Sequence, residues 1–354
     1  MTPIPDAPLV ILVGGFLGAG KTTLLVEAAS RLMAAGSAVA LITNDQGGAL
    51  VDTHLAGASR IDTEEIAGGC FCCRFSELIQ AADRLRAHGP DVIFAEPVGS
   101  CIDISATVLQ PIKRLYGGRY RLAPFTVLAD PRRARELLAP GADPYLAYLF
   151  TRQLAEADLV CFSKADLDAE LPELPGGFAL RVSARTGQGI SEWLREVLAG
   201  SAVAGSRLLR NVDYEKYAEA EAALGWLNWQ ATLRPPEPLS PAQIVGPLLD
   251  MLDRSLTEAG IRIAHLKAFD QCATGFIKAS VCVNGDEPEV LGALDASPAD
   301  VHKLLVNLRA VAAPEALESA LHRASATLPG SVEVTHFECF RPSPPKPEYR
   351  MEEG

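Results

Sequence analysis

The sequence has no Lys/Arg-rich run, no apolar run long enough to cross a membrane, and too little cysteine for a disulfide scaffold. Each absence excludes something. With 44 acidic against 32 basic side chains and a formal charge of −12, the chain offers no electrostatic footprint for a phosphate backbone, so no nucleic acid is expected as a partner. The first apolar run is broken by Gly14 and Gly15, well short of the roughly 18 to 20 residues of a membrane span. Met1 to Asp6 carries no positive n-region. No membrane partner and a cytoplasmic location follow as expectations. Eight cysteines in 354 residues are dilute, yet three of them, Cys70, Cys72 and Cys73, fall within four positions. In a reducing compartment such a cluster suits metal binding or redox work better than a structural disulfide.

What is present suits two globular domains. The 48% apolar and 21% charged composition excludes disorder except at the ends. Over the first 200 residues, β-branched apolar runs (9–13, 38–43, 92–95, 125–129, 159–162, 180–182) alternate with helical patterns (21–34, 75–87, 132–138, 144–155, 190–198). That is the signature of stacked βα units and a mostly parallel sheet covered on both faces. Beyond it the pattern reads strand 224–232, helix 241–259, strands 261–269 and 275–283, helices 298–309 and 314–324, and strand 331–340. The expected architecture is therefore α/β. An α/β domain of stacked βα units (1–200) and a linker (201–223) precede a smaller α+β ferredoxin-like βαββαβ domain (224–341), and a Pro-rich tail (342–354) is extended or disordered. No internal repeat is visible.

Gly15-Phe-Leu-Gly-Ala-Gly20-Lys21-Thr22 matches G-x-x-x-x-G-K-S/T between an apolar strand and a helix. Glycines let backbone amides turn inward around phosphates, and the helix start adds its unpaired amides. Gly15, Gly18, Ala19, Gly20, Lys21, Thr22 and Thr23 are the candidate phosphate contacts. Lys21 reaches the β and γ phosphates, and the Thr22 hydroxyl ligates Mg²⁺. The alternative is a glycine-rich turn with no ligand, in which a buried lysine has no packing rationale.

Ser163-Lys164-Ala165-Asp166 follows another apolar strand and looks like the Asn/Thr-Lys-x-Asp guanine box, with Ser163 in the asparagine position. A carboxylate at Asp166 accepts from both N1–H and the 2-amino group of guanine, whereas adenine has an acceptor at N1 and no such amine. The Lys164 stem lies along the base, and Ser183-Ala184 offers an amide to the guanine carbonyl. A turn merely capped by Asp166 is the bland alternative.

Glu96 ends a buried strand beside the phosphate loop, where a carboxylate holds the Mg²⁺ shell or orients water. Gly99 offers an amide to the γ-phosphate, and Asp45 is a second Mg²⁺ candidate. Lys21, Glu96 and Asp45 are thus the candidate catalytic set. Asp130 divides evenly between a helix cap and a functional role. Phe75, Leu78, Ile79, Ala82 and Leu85 recur at helical spacing, so Cys70, Cys72 and Cys73 lie just before a helix start, whose dipole, with Arg74, favours thiolate. Three soft ligands with a vacant fourth position suit Zn²⁺ or another late first-row ion better than Mg²⁺. Small buried hydrophobes and a redox pair remain open beside that reading. Cys101, and His336 with Cys339, weigh more toward core or surface than toward ligands.

Together, Gly14 to Thr23, Asn44-Asp-Gln-Gly, Gly69-Cys-Phe-Cys-Cys, Glu96-Pro-Val-Gly and Ser163-Lys-Ala-Asp resemble the CobW-type P-loop GTPases, relatives of the nickel-insertion GTPases of hydrogenase and urease maturation. The resemblance implies a GTPase that hydrolyses GTP to GDP and phosphate. It implies a metallochaperone in which GTP, Mg²⁺ and a transition metal, Zn²⁺ or Co²⁺, bind together and hydrolysis follows delivery to a client metalloprotein, corrinoid-dependent enzymes included. A nucleotide-dependent homodimer is a further expectation. Asn44-Asp-Gln-Gly replaces the family's common Asn-Glu-Phe-Gly, and the six histidines are scattered, which argues against bulk zinc storage. Two alternatives stand beside this reading. One is a nucleotide-gated regulatory or assembly factor for a corrinoid or other metalloenzyme, without metal transfer. The other is a small-molecule phosphotransferase, against which the guanine box argues.

Overall fold

The computed structural model describes residues 7–47, 61–168, 170–175, 179–199 and 204–352. In chain order the first part contains β1 (Leu9–Gly15), α1 (Lys21–Ala34), β2 (Val39–Asn44), β3 (Asp62–Ile66), α2 (Phe75–Arg86) and β4 (Val92–Glu96). A π-helical turn (Ser105–Leu109) then runs into α3 (Gln110–Leu115). After it come β5 (Arg121–Leu122), β6 (Thr126–Ala129), α4 (Pro131–Leu138), α5 (Pro144–Glu156), β7 (Leu159–Phe162), β8 (Leu180–Arg181), α6 (Ile190–Leu198) and α7 (Tyr214–Ala222). The strands pair in the order β3-β2-β4-β1-β6-β7-β8 with β5 also beside β1. Every registered pair is parallel.

All residues of β1, β2, β4 and β6 are buried, as a parallel sheet covered on both faces requires. Ile11, Leu25, Phe94 and Trp193 pack in one of the cores beside it. The parallel register brings the ends of β1, β2 and β4 to one edge, where Thr43 stands beside Glu96. Ligands of open α/β sheets bind at this carboxyl edge.

The polar β3, Asp-Thr-Glu-Glu-Ile, escaped the sequence reading because its strand conformation comes from pairing with β2 at the sheet margin. The stretch 201–223, expected as a linker, carries α7. Among the described residues no helix is long and apolar enough to cross a membrane.

The chain divides into two compact units. One holds residues 7–46, the described part of 61–220, and 344–352; the other holds Gly47 and Glu221–Ser343. The second contains β9 (Gly225–Arg234), α8 (Pro241–Glu258), β10 (Ile263–Cys272), β11 (Gly275–Val281), β12 (Glu289–Gly292), β13 (His302–Ala310), α9 (Pro314–Ser325) and β14 (Ser331–Phe340). Its antiparallel sheet runs β12-β11-β10-β13-β9-β14. Without the β11–β12 hairpin the order is fourth, first, third, second, the ferredoxin-like plan.

One expected element is corrected: 298–309 is not a helix, and His302–Ala310 is a strand between β9 and β10. Its Leu304, Leu305, Val306 and Leu308 form a short apolar run, and periodicity alone does not separate a doubly covered strand from a buried helix. Of the tail expected to be extended or disordered, the described residues 344–352 are extended and pack on the first unit, as detailed below.

Candidate nucleotide and metal sites

The turn from β1 into α1 is shaped by its glycines. Gly15 has φ 133°, and a Cβ there would lie 2.5 Å from the Leu128 carbonyl oxygen. Gly20 is left-handed, N-caps α1 and contributes no side chain, so the amides at the helix start face the loop. Lys21 is buried, its Nζ donating to the Gly15 carbonyl at 3.0 Å and standing 3.8 Å from Glu96. The Thr22 hydroxyl donates to the second oxygen of Glu96 at 2.8 Å. Lysine, threonine and a strand-end carboxylate are thus assembled across a separation of 74 residues between Thr22 and Glu96. Buried charge of this kind is costly unless paired, and it marks functional clefts. Gly18 and Ala19 lie within the turn, and Thr23 points to solvent. Asp45 follows β2, its amide donating to the Ile66 carbonyl at 3.1 Å.

The loop after β7 reaches the phosphate loop from the other side. Lys164 is held at φ 52°, with its Cε 3.9 Å from where a Gly20 Cβ would lie. Its Nζ pairs at 2.9 Å with Asp130. Asp130 also caps α4 through the Arg132 and Arg133 amides, so it serves as both cap and partner of the site lysine. Burial pushes the Asp166 carboxyl up, but hydrogen bonds from Ser183 and its own backbone, with Arg185, hold it below its ordinary range. Arg185 donates its Nε to Asp166 at 2.8 Å. Ser183 is buried and receives the Thr186 amide at 3.1 Å. Ser163 is buried, its hydroxyl without a partner among the described residues, and Ala184 packs against the adjoining core.

The thiols occupy a tight turn before α2, in which the Cys73 and Arg74 amides both donate to the Cys70 carbonyl at 3.0 Å. Their sulfurs converge: Cys70–Cys72 2.8 Å, Cys70–Cys73 3.2 Å and Cys72–Cys73 3.7 Å. Cys70 and Cys72 are buried, Cys73 half-buried, and all are free. Contacts with Cys101, Cys72 and Cys73 hold the Cys70 thiol well down; contacts with Cys101, Cys70 and Cys73, together with burial, push Cys72 well up. The Cys70 contact and burial raise Cys73 to about 11.

The expected help from Arg74 and the helix start goes elsewhere. Arg74 donates to Glu77 at 2.5 Å and to the Gly68 carbonyl at 3.2 Å, and the Ser76 amide donates to Glu348 at 3.1 Å.

Three features were not read as part of the site. Asn44 accepts from the Phe71 amide at 2.9 Å and donates to the Gly69 and Ile66 carbonyls at 2.7 and 2.9 Å, bracing the cysteine turn from the end of β2. Its position in Asn44-Asp-Gln-Gly was the available signal. The tail covers the turn: the Lys346 amide donates to Cys73 Sγ at 3.1 Å and the Glu348 amide to the Cys72 carbonyl at 2.9 Å. Cys101 brings its thiol into hydrogen-bonding contact with Cys70 and Cys72. Cys339 instead donates to the Pro314 carbonyl at 3.2 Å, and His336 lies 3.4 Å from Glu338, both in β14.

The family model of the CobW/HypB/UreG nucleotide-binding domain matches residues 9–174. The zinc chaperone CobW of Pseudomonas aeruginosa is 32% identical over 193 residues, 46% of this chain and 50% of that protein. The zinc chaperone YeiR of Escherichia coli is 29% identical over 163 residues, 44% of this chain and 46% of that protein. The chain thus spans about half the length of these curated relatives. Nickel-bound HypB from Helicobacter pylori aligns at 16% identity and a TM-score of 0.40, over 59% of this chain and 92% of that one. Residues 9–174 constitute a nucleotide-binding domain of the CobW/HypB/UreG family.

Proposed function

We propose that the protein is a GTP-hydrolysing metal chaperone of the reducing cytoplasm, which takes up a thiophilic transition metal and passes it to a client metalloprotein. The observation that carries this reading is the convergence of the Cys70, Cys72 and Cys73 sulfurs, all within 4.8 Å of one another, in the same unit as the phosphate loop. A redox pair needs two sulfurs, and small hydrophobes need not face one another; three convergent thiols are a soft ligand set for Zn²⁺ or Co²⁺. The zinc-chaperone relatives favour zinc.

On the nucleotide side, Gly15 to Thr23 cradle the phosphates, Gly99 adds an amide, and Ser163, Lys164, Asp166, Ser183 and Ala184 form the base pocket. The oxygen donors Thr22, Glu96 and Asp45 suit Mg²⁺, which supplies charge neutralisation on the β and γ phosphates when bound. Lys21 stabilises the same charge, and Glu96, already bonded to Thr22, orients the shell. Each thiol that ligates metal gives its proton to solvent. Coupling between two ligands on one protein is typically about 1 to 3 kcal/mol, so nucleotide turnover shifts metal affinity and a receiving protein completes the transfer.

Zinc titration of the full chain with and without Mg²⁺ and a non-hydrolysable GTP analogue tests this. Stoichiometric binding that tightens about 5- to 150-fold with nucleotide is expected. Equal affinity in both conditions, or unchanged affinity after Cys72→Ser with Cys73→Ser, overturns the reading.

A further inference from the structure

The three convergent sulfurs are not equally reachable. Cys70 and Cys72 are buried while Cys73 keeps part of its surface, so an ion or a competing ligand has its approach on the Cys73 side. That side is where the segment 344–352 lies. Pro344, Pro345 and Pro347 have no N–H, which leaves Lys346 as the sole backbone donor of 344–347, and its N–H donates to Cys73 Sγ at 3.1 Å. Two positions on, the Glu348 amide donates to the Cys72 carbonyl at 2.9 Å. Prolines on both sides of Lys346 make a stiff, extended arm. Lys346 therefore leaves Cys73 with the arm as a whole rather than by local bending.

We propose that residues 344–352 form a gate over the metal site, latched by Arg350 on Asp103, and that the cargo ion enters and leaves when the latch opens and the arm lifts. This rests on the metal-carrier reading above. It adds a step separate from ligation: the arm sets the rate of exchange, and the thiolates set the affinity.

The latch holds the arm at its far end. Arg350 donates its Nε to Asp103 at 2.8 Å and an Nη to the Leu209 carbonyl at 2.9 Å, and the Met351 amide donates to the Ala106 carbonyl at 2.9 Å. Between latch and thiols, the Glu348 carboxylate accepts from the Ser76 amide at 3.1 Å. Asp103 is buried at φ 64°, a left-handed backbone that an aspartate adopts at a cost. One of its oxygens accepts from Arg350 and from the Tyr214 hydroxyl, each at 2.8 Å, and the other has no partner among the described residues. The arm's own guanidinium thus balances a buried carboxylate through a charge-assisted bond. Asp103 also stands seven positions beyond Glu96, on the segment that leaves β4. Glu96 accepts from Thr22, and between the two acids Gly99 is pressed against the phosphate loop: a Cβ there would meet the Leu17 Cα and amide nitrogen at 3.1 Å. A rearrangement of the phosphate loop reaches the latch along this short stretch, where a small displacement of a strained aspartate releases Arg350.

Stopped-flow zinc exchange on the full chain separates a gate from a support of the ligands. Zinc loading, and zinc release to excess EDTA, are measured for the unmutated chain, Arg350→Ala and Glu348→Ala, each checked for folding by circular dichroism. Both rates should rise together, about tenfold in Arg350→Ala and less in Glu348→Ala, with zinc affinity held within about threefold. Unchanged rates in the folded variants overturn the gate and leave the carrier reading intact. A fall in affinity with loading unchanged also overturns it, and makes the arm a support of the thiolates instead. Zinc binding indifferent to Cys72→Ser with Cys73→Ser overturns the carrier reading, and the gate falls with it. Release from the unmutated chain should differ between a non-hydrolysable GTP analogue and GDP, and that difference should shrink in Arg350→Ala. Equal release in the two nucleotide states overturns the link from the phosphate loop to the latch.

Discussion

In the proposed function, Asp166 is the residue on which the choice of base depends. Its carboxyl, held low by Ser183 and Arg185 against the opposing push of burial, is an ionised acceptor at neutral pH, which guanine's two donors require. Asp166→Asn exchanges one acceptor oxygen for a donor that opposes the 2-amino group. A hydrogen bond to a charged group is worth about 1.5 to 3 kcal/mol, so GTP affinity should fall roughly 10- to 150-fold in a fluorescent-nucleotide competition assay. If ATP competes equally with GTP on the unmutated protein, the base assignment is wrong. A second carboxyl reports on stability. Asp270 is buried against His302 Nδ1 at 2.7 Å, and burial raises its pKa to about 6 despite the His302 contact. An unfolded aspartate titrates near 3.9. Between about pH 4 and pH 6 the folded chain therefore retains a proton that the unfolded chain has released. This group favours folding below that window and loses its contribution as pH rises through it. Urea unfolding of the wild type and of Asp270→Asn should show the wild type losing ground to the variant from pH 4 to pH 6; a constant difference would contradict the assignment.

At the scale of elements, the segment 344–352 is held to the first unit by its backbone and by three side chains. Glu348 engages the start of α2, Tyr349 sets its ring edge-on to Phe75 at 5.3 Å, and Arg350 donates to Asp103 at 2.8 Å. Asp103 is buried, has φ 64°, and precedes the π-helical turn, a combination found where strain is held near a functional site. Burial raises its carboxyl pKa, and the Tyr214 and Arg350 contacts oppose that rise. Arg350→Ala leaves a buried carboxylate with Tyr214 as its remaining side-chain donor, and should cost about 2 kcal/mol in denaturant unfolding. Removing residues 344–352 also takes the Lys346 amide from Cys73. Alkylation of Cys73 by iodoacetamide, followed by mass spectrometry, should accelerate; an unchanged rate would show that the segment does not shield the thiol. The tail's six-residue run Pro342-Ser-Pro-Pro-Lys-Pro announced extended chain in the sequence but not where it docks, because its partners lie 141 to 273 positions away.

On the scale of the whole molecule, the second unit has its own core, in which Leu227, Leu248, Leu252, Leu266, Val306 and Leu317 are all buried. Residues 221–343 expressed alone should therefore unfold cooperatively by circular dichroism and bind neither zinc nor GTP; a non-cooperative melt would contradict an independent core. The sequence by itself determined the phosphate loop, the thiol run, the alternation of parallel strands and helices, and the ends of several elements, α1, β7 and β14 among them. These are legible because spacing along the chain dictates them: a turn needs its glycines, a helix its apolar period, a covered strand its unbroken apolar run. Only the tertiary structure decided that His302–Ala310 is a strand, since two neighbouring strands, not its own residues, choose between strand and helix for that run. Likewise, only the fold decided that Asn44 braces the cysteine turn, that the tail covers it, and that Cys101 meets Cys70 and Cys72. Those contacts join residues that no local pattern connects, and they exist because parallel pairing brings the ends of β2 and β4 to the same edge of the sheet.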